Sequence, residues 1–307
     1  MRQRFLFASV ILTLITACNS NTSRFPGQEA YRAEIDNWHK SRLENLKAPD
    51  GWLSLAGLYW LHEGPNSFGS DTANDIIFPQ KAPGFIGIID QTGDSTFLRS
   101  VFQPVTINGI PARQQRLHDD ASQHPDLMTL NSLAWLIIKR GNRFGIRLRD
   151  YDSPMRDSLT AIPYFETKER WRVIATFEPY EKPETLKVQT VIGTEEENTV
   201  PGRLTFRIRG RKHVLYPFDA GNDFFIVFGD QTNGNETYPA GRFLYTSLPD
   251  AQNNVIIDFN RAYNPPCAFT PFATCPLPIR KNILPVRIEA GEMAVHLPMA
   301  SHGGVHP

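Results

Sequence analysis

The chain has 307 residues, with 32 Lys plus Arg against 32 Asp plus Glu, and is 41% hydrophobic and 21% charged. Formal neutrality leaves no electrostatic case for nucleic acid as a partner, and the composition excludes both a disordered chain and a polytopic membrane protein. The length allows two ordinary domains or one large one, and 24 Pro with 21 Gly predict many turns.

Arg2 and Arg4 precede an apolar run from Phe5 to Ile15. That run is too short to span a bilayer, which needs about 20 apolar residues, and has signal-peptide length instead. It ends in Ile15-Thr16-Ala17-Cys18, which resembles a bacterial lipobox. The expectation is a signal peptide over 1–17, acylation of Cys18 as a membrane anchor, and a polar tether over 18–27. Asn19 after the cysteine is similar to sorting signals for the outer membrane, which places the protein in the cell envelope.

Residues 28–50 read as an amphipathic helix and its stop. Tyr31, Ile35, Trp38 and Arg42 fall on one face with Leu43 and Leu46, and Ala48-Pro49-Asp50-Gly51 ends it. Beyond Gly51 the period shortens to two. Leu133–Arg140, a Gly141-Asn142 turn and Arg143–Arg149 predict a hairpin in which Phe144, Ile146 and Leu148 alternate with Gly145, Arg147 and Arg149. The same alternation returns over 171–177, 186–192 and 204–208, and Phe224–Phe228 is a continuous run of buried-strand length. The fold class is therefore mainly β: an amino-terminal helix, a β-sandwich over 51–150, a linker over 151–168, and a second antiparallel β domain over 169–292. From Met293 the chain reads as a flexible tail, with His296, His302 and His306 in a frayed terminus.

Several signatures of chemistry are absent from the sequence. There is no Gly-x-Ser-x-Gly elbow, dinucleotide-binding glycine loop, P-loop or His-Glu-x-x-His, so no cofactor and no metal are expected. Polar residues concentrate instead after the apolar runs of the last third: Asp230, Thr232, Asn235, Tyr238 and Arg242, then Asp258, Asn260, Tyr263 and Asn264, and finally Glu292. Acid, amide and guanidinium groups at strand ends suit a ligand site, and Asp, Asn and Gly are equally the usual turn formers. On the ligand reading, Asp230, Arg242, Asp258 and Asn260 should line one polar pocket. Cys267 and Cys275, eight positions apart in an exported chain, suggest a disulfide; free thiols and thiol chemistry are the alternatives.

Gly51–Pro79 (GWLSLAGLYWLHEGPNSFGSDTANDIIFP), 229–245 (GDQTNGNETYPAGRFLY), 258–278 (DFNRAYNPPCAFTPFATCPLP) and 289–292 (EAGE) together resemble a bacterial and archaeal family catalogued as domain of unknown function 1684. The resemblance runs from about Trp38 to Glu292 and implies kinship without an activity. Within the first half, Phe68-Gly69-Ser70-Asp71, Asn74-Asp75-Ile76 and Val105–Gly109 are also similar to a forkhead-associated (FHA-like) β-sandwich. That fold implies phosphothreonine recognition by an arginine and a Ser-x-x-His loop. Here Ser70 and Ala82-Pro83-Gly84-Phe85 stand in those places, so a phosphopeptide is not an expected partner. Two classes of function follow: an envelope lipoprotein that binds a small molecule, glycan or protein through the carboxyl-terminal polar loops, or a hydrolase-type enzyme using the same Asp, Glu, Tyr and Arg side chains.

Overall fold

The computed structural model describes residues 27–297. The expected signal peptide over 1–17, Cys18, most of the expected tether, His302 and His306 lie outside the described residues. No helix among the described residues is long and apolar enough to cross a membrane.

Helix α1 (Gln28–Lys47) buries Tyr31, Ile35 and Leu46, three members of the face predicted from spacing. Pro49 and Gly51 end it as expected. Gly51 has a second reason to be glycine, because a Cβ there would sit 2.3 Å from the Asn45 carbonyl oxygen. The first half is then a two-layer sandwich. One layer holds β1 (Leu55–Trp60), β6 (Thr106–Ile107), β7 (Ile110–Pro111), β9 (Met128–Leu130), β10 (Leu133–Arg140) and β11 (Arg143–Asp150), in the order β1-β11-β10-β9-β6-β7. The other holds β2 (Gly64–Gly69), β3 (Ile76–Ile77), β4 (Gly87–Thr92), β5 (Ser95–Val101) and β8 (Gln115–Leu117), in the order β3-β2-β4-β5-β8. Phe68, Ile89, Leu98, Trp135, Ile137, Phe144, Ile146 and Leu148 fill the space between the layers.

Alternation decides which face of the β10–β11 hairpin goes where. Phe144, Ile146 and Leu148 enter the sandwich core, so Gly145, Arg147 and Arg149 must point outward. The hairpin register is continuous from Leu133 opposite Asp150 to Arg140 opposite Arg143. That outward face is not solvated: the second half packs on it through Leu55, Leu58, Ile138 and Phe272.

Short helix α2 (Met155–Ser158) follows, and the segment around it is fastened rather than loose, because Leu159 and Ile162 are buried beside Leu46, Leu53 and Phe269. The second half has strands β12 (Arg172–Gln189), β13 (Glu195–Ile208), β14 (Arg211–Leu215) and β18 (Asn254–Asp258) in one antiparallel sheet, ordered β14-β13-β12-β18. Strands β15 (Phe218–Asp219), β16 (Asp223–Phe228) and β17 (Arg242–Ser247) make a second sheet. Their facing apolar residues, among them Ala175, Leu204, Phe206, Ile226, Leu244 and Ile257, form the second core. The segments 171–177 and 186–192, expected as separate strands, are mostly one long strand, β12. It carries a register shift between Pro179 and Glu184, where prolines 179 and 183 interrupt regular pairing.

One boundary expectation is corrected. The tail does not begin at Met293: Ala294 donates its amide to the Glu236 carbonyl at 2.8 Å, and Val295 and Leu297 pack beside Phe269. Those two apolar side chains hold the segment down. In the sandwich, the Ser70 hydroxyl donates to the Ala82 carbonyl at 2.7 Å and its amide to the Pro83 carbonyl at 2.9 Å. The two loops that would hold a phosphothreonine in an FHA-like fold are here bonded to each other.

Candidate functional site

The ten polar residues singled out in the last third fall into separate groups, so the single pocket expected for Asp230, Arg242, Asp258 and Asn260 does not form. Arg242 and Asp230 pair at 2.5 Å with both side chains wholly inaccessible. The rest of the guanidinium donates to the Ala290 carbonyl and to that of Ile288, the latter at 3.0 Å, while Asp230 accepts the Thr232 amide at 2.7 Å. Thr232 is itself buried and shares a hydroxyl contact of 2.9 Å with Thr237. Burial pulls the Arg242 pKa below its usual value, and Asp230 opposes that pull. This clamp ties β17 to the chain before Glu292 and is closed to any ligand.

Asp258 and Asn260 serve another junction. Both Asp258 oxygens accept the Tyr31 hydroxyl, at 2.8 and 2.9 Å, and Asn260 Nδ2 donates to the same tyrosine oxygen at 2.8 Å. Asn260 also accepts the Lys168 amide and donates to the Lys168 carbonyl. The pair therefore docks α1 and the 151–168 segment onto the second half. One edge of Asp258 lines a surface cavity of about 450 Å³ with Glu34, Tyr245 and Arg261.

Glu292 and Asn264 form a third network. The Arg42 Nε donates to Glu292 at 3.0 Å, the Asn264 amide donates to its other oxygen at 2.7 Å, and Arg42 lies 4.6 Å from the Tyr263 ring centre. Burial raises the Glu292 pKa, and Arg42 works against the rise. Tyr238 reaches the Cys267 carbonyl at 3.2 Å, and Asn235 is exposed in the turn.

The expected disulfide is also corrected. Cys267 and Cys275 are free thiols. The Cys267 amide donates to the Cys275 sulfur at 3.2 Å, and the closeness of the two thiols holds the Cys267 pKa down and drives that of Cys275 up. No covalent bond joins the two sulfurs.

A large opening lies between the two halves. A cleft of about 1060 Å³ is bounded by the β10–β11 turn (Lys139 to Arg143), by the far end of the β12–β13 hairpin (Lys187 and Gly193 to Glu197), and by the loop carrying Thr274 and Cys275, with Trp52 on its wall. Arg147 stands in this wall at 7% exposure. Its nearest polar contact is the Thr274 hydroxyl at 3.5 Å, and its Nε is buried without a partner. Among the described residues no carboxylate lies within ion-pair distance of it. Arg140, by contrast, pairs with Asp120 at 2.8 Å and with Glu196 at 3.5 Å. Desolvation, and then repulsion from Arg140, push the Arg147 pKa down to about 10, so it stays charged at neutral pH. A buried, unpaired guanidinium is costly, and a planar anion entering from the cleft would relieve that cost.

Sequence reasoning placed Arg147 on the polar face of a hairpin and no further. The signal available was an arginine pair, Arg147 and Arg149, on a face otherwise opposed to Leu55, Leu58 and Ile138. Only the docking of the second half turns that face into a buried wall. Among the described residues, no group of three His, Cys, Asp or Glu gathers to hold a metal ion.

Comparison with known proteins bears on the second half. Residues 157–293 match the model of the family described as protein of unknown function (DUF1684), the family that the motifs resemble. A solution NMR structure of an uncharacterised protein from Haloarcula marismortui is 28% identical, over 45% of this chain and 78% of that one, with a TM-score of 0.39. No curated protein matches the chain.

Proposed function

We propose that this protein is an envelope lipoprotein that binds a small anionic molecule in the cleft between its two halves. The observation that carries the reading is Arg147: a guanidinium nine-tenths buried, charged, and without an acidic partner within ion-pair distance among the described residues, on the wall of a cleft of about 1060 Å³. Lys139, Arg140, Arg143, Arg147 and Lys187 outnumber Glu195, Glu196 and Glu197 along the cleft, and the Trp52 and Phe243 side chains give it apolar walls. The polar loops singled out in the second half stay outside the cleft wall, with Asp230, Arg242, Asp258 and Glu292 each engaged by other groups of the fold. The hydrolase reading needs those side chains to be available, and the Asp230–Arg242 pair is sealed.

The test is calorimetric titration of the full protein with glutarate and with inorganic phosphate. Binding of either is expected to weaken by at least about tenfold in Arg147→Met, which keeps an apolar stem of similar length, while thermal stability stays the same or rises. Equal binding by the variant, or no binding of either anion by the wild type, contradicts the reading. The anchor is tested separately. Cys18→Ser should move the protein from membrane to soluble fractions, and an unchanged membrane partition with no labelled lipid would contradict acylation.

A further inference from the structure

The thiol pair and the unpaired guanidinium share one wall. Thr274 accepts from Arg140 Nε at 3.0 Å and from Arg147 at 3.5 Å, and the next residue, Cys275, lines the same cleft and interacts electrostatically with Arg147. Cys267 follows Pro266, another cleft residue, and is the more exposed of the two cysteines. The backbone around them is held in place. The Val191 amide donates to the Cys275 carbonyl at 2.9 Å and the Leu277 amide to that of Gln189 at 2.8 Å, while Tyr238 holds the Cys267 carbonyl. Two thiols already in contact need little movement to bridge.

We propose that the ligand of the cleft is a carboxylate-bearing low-molecular-weight disulfide, and that Cys267 and Cys275 are a redox-active dithiol that exchanges with it. This rests on the anion-binding reading above and adds the ligand's reactive group to it. The Cys267 thiolate attacks one sulfur of the bound disulfide, RS–SR. The RS–SR bond breaks, a Cys267–SR bond forms, and the first RS⁻ departs. The Cys275 thiol then gives up its proton and attacks the Cys267 sulfur, which expels the second RS⁻ and closes the Cys267–Cys275 bond. The protein loses two electrons, the disulfide gains them, and the two departing thiolates take up the Cys275 proton and one from water. Cys267 attacks first because it is the more exposed of the two cysteines, and Cys275 beside it holds its thiol pKa down. Arg147 holds a carboxylate of the incoming molecule and selects among disulfides that are otherwise chemically similar.

The experiment follows bridge formation in the reduced full chain by acid quenching, alkylation and peptide mapping. Two probes are used: oxidised glutathione, which is anionic, and 2-hydroxyethyl disulfide, which is neutral. Both should bridge Cys267 to Cys275, and the rate ratio of the anionic to the neutral probe should fall about tenfold in Arg147→Met, as expected for one lost charge-assisted contact. Cys275→Ser should trap the mixed disulfide on Cys267. Failure of either probe to bridge the wild-type cysteines overturns the dithiol while leaving glutarate binding intact, which separates this inference from the reading beneath it. A bridge that forms with a rate ratio unchanged in Arg147→Met overturns the choice of an anionic disulfide. Adducts that collect on Cys275 in Cys267→Ser, with none on Cys267 in Cys275→Ser, overturn the order of attack.

Discussion

Arg242 and Arg147 are both buried guanidinium groups, and their surroundings give them opposite roles. Arg242 has Asp230 at 2.5 Å and the Ala290 and Ile288 carbonyls on its Nη atoms, so a carboxylate balances its charge although its Nε is left without a partner. Removing either member leaves an uncompensated buried charge, so Arg242→Met or Asp230→Asn should each cost about 3–5 kcal/mol in urea unfolding. Arg147 lacks such a partner, and its replacement by Met should cost little or stabilise the chain. A matched pair of unfolding curves checks both statements. Glu292 gives a pH signature. Its pKa is raised in the folded protein by burial, so the folded state binds its proton more tightly than the unfolded one. The cost of ionising it is absent below the unfolded carboxylate pKa and grows as pH rises through the folded value. Wild-type stability relative to Glu292→Gln should therefore decline as pH rises across that window, and a difference that is flat in pH or rises with it would contradict the assignment.

At the scale of elements, α1 is joined to the second half by a small polar hub: Tyr31, Asp258 and Asn260. Tyr31→Phe removes the hydroxyl that both partners use and leaves buried polar groups short of a bond. The expected cost is about 1–3 kcal/mol, with hydrogen exchange rising first in α1 and in the segment beside Lys168. Protection that is unchanged in α1 would show that the helix is held by Ile35 and Leu46 alone. The helix and the β10–β11 hairpin were legible in the sequence because each has a strong period and clear punctuation: the apolar face and Pro49 in one case, strict alternation around Gly141-Asn142 in the other. Strand β12 was only half legible, since prolines 179 and 183 break the alternation while pairing with β13 resumes beyond them. The polar motifs were legible as special, but spacing along a chain does not say whether an acid faces a ligand or an arginine of its own fold. Asp230 and Glu292 each found an internal guanidinium, Arg242 and Arg42 respectively.

At the scale of the whole molecule, the two halves meet through a modest apolar contact, in which Phe272 packs with Leu55, Leu58 and Ile138. That contact, with Leu53 beside Phe269 and Arg140 bonded to Thr274 and paired with Glu196, sets the sandwich against the second half and frames the cleft. Phe272→Ala should cost about 3–5 kcal/mol if the halves unfold as one unit, and should weaken anion binding although Phe272 is no part of the cleft wall. A variant that splits thermal unfolding into two transitions with binding intact would contradict this coupling. The central claim is that Arg147 meets the ligand, and the most direct measurement is NMR of the arginine side-chain N–H groups in nitrogen-15-labelled protein during titration with glutarate. The Nε–H signal assigned through Arg147→Met should shift saturably and further than that of any other arginine. A titration in which the Arg147 signal stays fixed while others move, or in which none moves, would contradict the account.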